Sequence, residues 1–173
     1  FVHVLFINDD LFEGAGLSLE TDIPTNWEEL VEVAGKMTDP AKEQYGHSFY
    51  ELSTREYMLM LLSVYVGQLG GKVFSEDRTK VTLDTPEANE AMQWMYDMLW
   101  TKKYALPVEL MEGRWDLFYS GVIGSFNAGP WSIWSIRTNA PQINFSIHQW
   151  PCAKTCDNVD APECLVVLKD ASD

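Results

Sequence analysis

Apolar positions along this chain recur with two periods, and the places where the period changes divide it into elements. Residues 2–7 are apolar and β-branched-rich, which predicts a buried strand interrupted only by His3, itself read as a core histidine. Asn8, Asp9 and Asp10 break that run. Leu11, Phe12 and Ala15 before Gly16 then predict a short helix with a glycine stop. Trp27, Leu30, Val31 and Ala34 repeat at helical spacing behind Asn26, an N-cap residue with Glu29 three positions on to complete a capping box. Thr38-Asp39-Pro40 ends that helix. A short strand follows at 45–50, then a polar loop at 51–54. Residues 55–69 are apolar on nearly every side, which implies a helix buried on most faces and stopped by Gly70-Gly71.

The second half continues the alternation. Residues 72–83 read as a β-hairpin with a polar centre, and Thr85 followed by Pro86 opens a helix whose core stripe is Ala88, Ala91, Met92, Met95 and Leu99. A short helix is expected at 115–119, ending at Gly121, and a strand at 123–126. Residues 144–150 alternate, with Phe145, Ile147 and Gln149 on one face and Ser146, His148 and Trp150 on the other. Leu165 to Leu168 reads as a last buried strand. Helices alternating with strands predict one α/β domain, a mixed sheet of about five strands with helices on both faces.

The chemistry concentrates at Phe126-Asn127-Ala128-Gly129-Pro130-Trp131-Ser132-Ile133-Trp134. A strand runs into a tight turn there, and Pro130 stands where a first helical position needs no N–H. A helix N-terminus carries unpaired donors and partial positive charge, so Trp131 and Trp134, three apart, are placed for hydroxyl-rich or anionic ligands. Two indoles beside backbone donors suit a sugar, which has an apolar ring face and a polar rim. The competing reading is packing, since tryptophan is most often core or half-buried surface.

Composition narrows the partners. Hydrophobic residues make up 46% of the chain, enough for a proper core. A formal charge of -14 and a pI near 4.4 argue against nucleic acid and against anionic membrane surfaces. No apolar run approaches the roughly 20 residues of a spanning helix, so no membrane insertion is expected of this chain. No nucleophile elbow, P-loop or glycine-rich dinucleotide turn is present, and no cofactor is expected. Cys152, Cys156 and Cys164 fit a local disulfide or free thiols. With His148 they also offer four zinc ligands, at an uncommon spacing.

The order of motifs resembles a known family, the extracellular solute-binding proteins of ABC importers in the group that includes maltose-binding protein. Leu5 to Phe12 with Ala15-Gly16-Leu17 is similar to the family's Tyr-Asn-Lys-Asp and Ala-Gly-Leu signature, and 24–30 resembles Pro-x-Thr-Trp-Asp-Glu-Leu. Gly70-Gly71 matches an Asn-Gly-Gly turn, and 83–88 a Leu-Asp-Ser-Pro-Glu-Ala helix start. Residues 118–131 resemble Phe-x-x-Gly-Lys-Ala-Ala-Met followed by Gly-Pro-Trp. Departures are small: Asn26 for Thr exchanges one N-cap for another, Val122 replaces Lys, and Gly124 replaces Ala.

The resemblance implies one lobe of a two-lobed, type II periplasmic-binding-protein-like fold. Family members are at least twice this length, so 1–173 is expected to be most of the second lobe, without the first lobe and the C-terminal helices. It implies a substrate-binding component of an ABC transporter, outside the cytoplasm, either periplasmic or a cell-surface lipoprotein. The expected partners are a small-molecule carbohydrate, such as an oligosaccharide held between the lobes, and the permease subunits in the membrane. By position Trp131 inherits the sugar-stacking role, beside Gly129 and Asn127. The loop before the Gly-Gly helix brings forward Arg55, Glu56 and Tyr57, and Trp134 and Trp150 are further candidates. Two alternatives stand beside this: a same-family protein for glycerol phosphate, polyamine or metal, and a glycosidase built on Glu109, Glu112 and Asp116. The resemblance implies no catalysis.

Overall fold

The computed structural model describes residues 2–49, 52 and 54–158, with the side chains of Arg55 and Glu56 outside the described residues. Tyr50 of the strand expected at 45–50 and residues 51 and 53 of the loop expected at 51–54 lie outside them, as do Cys164 and the strand expected at 165–168. Strand β1 (Val4–Asn8) is central, flanked by β2 (Ser125–Ala128) and β3 (Phe145–His148), both antiparallel to it. Residues 45–48, expected as a strand, extend the sheet past β2 by parallel bridges from Tyr45 to Ile123 and from Ser48 to Phe126. His47 bridges in turn to Ala105, again in parallel. The sheet is therefore mixed, and its outer members make single bridges instead of full ladders.

Alternation along β1 sends side chains to two cores. Leu5 and Ile7 pack with Phe12 of α1 (Asp9–Gly14) and with Val33 and Met37 of α2 (Trp27–Met37). Phe6 points the other way and stacks on its cross-strand neighbour Phe126, with ring centroids 5.0 Å apart. That second core takes in Phe118 of α5 (Arg114–Tyr119), Tyr65 of α3 (Arg55–Gln68), Ala88 and Ala91 of α4 (Pro86–Tyr96), and Ile136 of α6 (Trp131–Asn139). Helices thus cover both faces, as the alternating pattern predicts.

The caps form where the sequence places them. Asn26 accepts from the Glu29 N–H at 2.9 Å, while the Glu29 carboxylate reaches back to Thr25 N–H and Oγ1 at 2.8 Å, one residue earlier than a standard box. Thr85 accepts from the Ala88 N–H at 3.2 Å, and Gly70 ends α3 with φ +88. Three expectations change. The expected hairpin is held by a single bridge, Phe74 to Val81. The helix begun at Pro86 widens into a π turn at Asp97–Thr101, and Met92 is exposed, because Ala88, Ala91 and Met95 already fill the stripe and Met92 is turned away from it. Helix α3 buries Leu61, Val64, Tyr65 and Val66 but leaves Tyr57, Met58 and Leu59 exposed, since only its second half lies over the sheet.

His47 is fully buried, and its Nδ1 lies 2.9 Å from Ser125 Oγ, which itself donates to the Gly46 carbonyl at 2.8 Å. Burial pushes the imidazole pKa down to about 3. The folded state therefore keeps the ring neutral, while an unfolded chain takes up a proton below its ordinary value of 6.5. Stability contributed by this site is complete above 6.5 and is lost as pH falls toward 3, by about 1.4 kcal/mol per unit. Denaturant titrations at pH 7.5 and pH 5 should show the wild type losing ~2 kcal/mol more than His47→Gln. Equal losses would show that His47 does not govern the acid limb.

Candidate functional site

The register of β1 builds the site. Val4 pairs with Ala128 on one side and Leu5 with His148 on the other. Continuing the same registers past the strand ends sets His3 opposite Gly129 on one side and Trp150 on the other. The rings meet accordingly: His3 stacks on Trp150 with centroids 5.6 Å apart and meets Trp131 edge-on at 5.7 Å. His3 is buried, as its place in an apolar run predicts, while its contact with Trp131 leaves no local signal along the chain.

Trp131 opens α6 and folds back over the turn before it. A Cβ built on Gly129 would lie 2.0 Å from Cζ3 and 2.2 Å from Cη2 of the indole, so only glycine lets the ring rest on the backbone there. The indole remains 43% exposed. It is thus an aromatic surface fixed from below and open outward, which is what stacking on a sugar ring requires.

The helix N-terminus offers less than expected. No side chain caps it, and Pro130 already has helical φ and ψ. The Ser132 N–H donates to the Gly129 carbonyl and the Ile133 N–H to the Pro130 carbonyl, both at 3.1 Å and both of the tight i to i−3 kind. Those two donors are therefore engaged within the turn, a correction to the array of open N–H groups expected from the sequence.

The other candidates separate. Trp134 is 73% exposed on α6, one turn beyond Trp131. Tyr57 is 47% exposed in the first turn of α3, its N–H capped by Thr54 Oγ1 at 3.3 Å. Residues 45–48 run parallel to 123–126, so the segments leading toward α3 and α6 leave the sheet at the same end, where ligands of α/β folds bind. Arg55 and Glu56 occupy that same helix start, with side chains outside the described residues. Asn127 is buried in β2 with Nδ2 donating to Tyr65 Oη at 3.4 Å, beneath the surface and not on it. Trp150 is corrected to a core residue: only 2% exposed, it packs between His3 and Tyr65.

The cysteines resolve one alternative. Cys152 and Cys156 form a disulfide, which removes two thiolates from any zinc set with His148. Among the described residues no group of histidine, cysteine and carboxylate side chains is placed to hold a metal. His148 instead lies 2.8 Å from Ser146 Oγ, and burial lowers its pKa against the opposing pull of Asp9. Glu109, Glu112 and Asp116 are exposed on adjoining helical turns. A groove of 760 Å³ lies elsewhere, between α2, α4 and residues 152–154, with Trp27 and Trp94 in its wall and Trp131 outside it.

The model of the bacterial extracellular solute-binding protein family matches residues 2–162. A putative binding protein of Brucella abortus is 28% identical over 156 residues, covering 87% of this chain and 36% of that protein. A maltotriose-binding protein of Pyrococcus abyssi is 27% identical over 128 residues, covering 74% of this chain and 26% of its own length. An ABC substrate-binding protein of Listeria monocytogenes, solved in complex with cycloalternan, superposes with a TM-score of 0.75 at 26% identity, over 89% of this chain and 38% of that one. The chain thus spans about a third of the length of these relatives.

The contact between Gly129 and Trp131 is testable by itself. Gly129→Ala should displace the half-exposed indole and shift the Trp131 side-chain N–H resonance in nitrogen-15 spectra, at a stability cost below ~1 kcal/mol because the ring can swing toward solvent. An unmoved Trp131 resonance in a folded variant would contradict the contact.

Proposed function

The chain belongs to the bacterial extracellular solute-binding protein family, and from that premise we propose that it binds a carbohydrate, an oligosaccharide in particular, for delivery to an ABC importer. Its architecture is the α/β lobe of a type II periplasmic-binding-protein fold. In this reading residues 1–173 form most of the second of two lobes, and the sugar lies in the cleft between them outside the cytoplasm. Closure of the lobes would present the loaded protein to the permease subunits. The protein acts as a receptor and not as a catalyst.

One observation carries the proposal: the half-exposed indole of Trp131, seated on Gly129 at the carboxyl end of the sheet. Stacking on such a ring is tolerant of sugar identity, while hydrogen bonds from neighbouring side chains select among sugars. Trp134 extends the aromatic surface, and Tyr57, with Arg55 and Glu56, is the proposed source of hydrogen bonds from α3. Asn127, with Gly129, supports the turn from below. The names of two relatives point the same way, one called maltotriose-binding and one solved with cycloalternan. A single lobe supplies only one wall, so this chain alone should bind at millimolar strength at best.

The test uses maltotriose with the two-lobed protein. Trp131→Ala should weaken binding by ~1–3 kcal/mol in calorimetry, with far less loss of stability than a core tryptophan. Trp150→Ala provides the contrast, since truncating a buried tryptophan costs ~3–5 kcal/mol of stability. Unchanged affinity in Trp131→Ala, with stability falling as in Trp150→Ala, would reject the platform.

A further inference from the structure

Residues 152–158 form a clamp that reaches the support of Trp131 through a continuous series of contacts. The clamp begins at the Cys152–Cys156 disulfide, which closes a five-residue loop. Its first residue is pinned to the start of α2: the Cys152 N–H donates to the Thr25 carbonyl at 2.9 Å, and the Trp27 N–H to the Cys152 carbonyl at 3.2 Å. Its far side is pinned to the end of α3. The Thr155 N–H donates to the Gln68 carbonyl at 2.9 Å, and Gln68 Nε2 donates to the Asp157 carbonyl at 2.9 Å. Gln68 is itself held, accepting from Trp27 Nε1 at 2.6 Å. The approach is close enough that a Cβ on Gly67 would meet Asp157 Oδ2 at 2.0 Å.

Asn158 follows directly and grips His3 on both of its backbone groups. The His3 N–H donates to Asn158 Oδ1 at 3.1 Å, and Asn158 Nδ2 donates to the His3 carbonyl at 2.9 Å. This paired bond fixes the backbone of the residue just ahead of β1, and with it the imidazole that lies between Trp150 and Trp131. Trp131 is then held between the Gly129 backbone and the His3 ring.

We propose that His3 and Asn158 are positioning residues for the Trp131 platform, and that the Cys152–Cys156 loop is the anchor from which they act. The proposal deepens the sugar-binding reading and rests on it for its functional meaning. An unsupported indole has several rotamers to lose on binding, whereas one held in place meets the sugar already ordered. Loosening the clamp should therefore weaken binding by about 3- to 10-fold, the cost of immobilising one large side chain.

The test reads the indole directly. The full chain is labelled with 5-fluorotryptophan, and the Trp131 signal is assigned by Trp131→Phe. Asn158→Ala and the double variant Cys152→Ser, Cys156→Ser should both move that signal toward the solvent-exposed position. The signal of Trp115, which packs on Phe126 and Tyr119, should stay in place. His3→Ala should act like Asn158→Ala, and His3→Phe, which keeps a ring between the two indoles, should restore the wild-type signal. If His3→Ala does not fold, Asn158→Ala decides, because it alters a partly buried residue outside the core. An unmoved Trp131 signal in Asn158→Ala would overturn the proposal. Maltotriose affinity of the two-lobed protein in the same variants then tests the functional link. A moved signal with unchanged affinity would sink the platform reading while leaving the positioning contacts standing.

Discussion

Strand β1 is hydrogen-bonded along both edges and packed on both faces, and this leaves it no freedom to slip. A shift by one residue would carry Phe6 into the core of Leu5 and Ile7 and reverse every contact on the sheet. The register fixed in this way does more than hold the core. It determines which residues stand opposite one another beyond the strand ends, and so brings Gly129 and Trp150 to either side of His3. The aromatic surface at Trp131 is therefore a product of strand pairing, completed by a glycine that leaves room for the ring.

The same constraint explains why Trp131 is displayed and Trp150 hidden. Trp131 lies past the end of β2, at a helix start with backbone beneath it and solvent above. Trp150 lies past the end of β3, where His3 and Tyr65 close over it. Trp150 stacks on His3 and His3 meets Trp131, so the hidden indole reaches the exposed one through the imidazole between them. In the proposed sugar-binding role, the open side of the indole is the one that a second lobe would close over.

Much of the fold is legible in the sequence because it depends on local chemistry. Asn26 and Thr85 cap helices as their side chains predict, a β-branched-rich apolar run marks β1, and alternation marks β3. What stays hidden depends on partners distant in the chain. The neighbours of Trp150 in the chain do not show that it is buried, since its exposure is decided by which residues the sheet register brings alongside. The engaged donors at the start of α6 follow from a tight first turn that Pro130 permits but does not announce. The grip of Asn158 on His3 joins residues 155 positions apart, beyond the reach of any periodic pattern. Pairing of Cys152 with Cys156, one of three open possibilities by count, is settled only by their approach in space.

The most direct measurement is a crystal structure of the two-lobed protein with maltotriose bound. The expected result is a pyranose ring stacked on the open face of the Trp131 indole, within about 4.5 Å, with Gly129 and His3 still supporting the indole from the protein side. A sugar bound in the cleft with Trp131 untouched, or an indole withdrawn from Gly129 and His3, would contradict it.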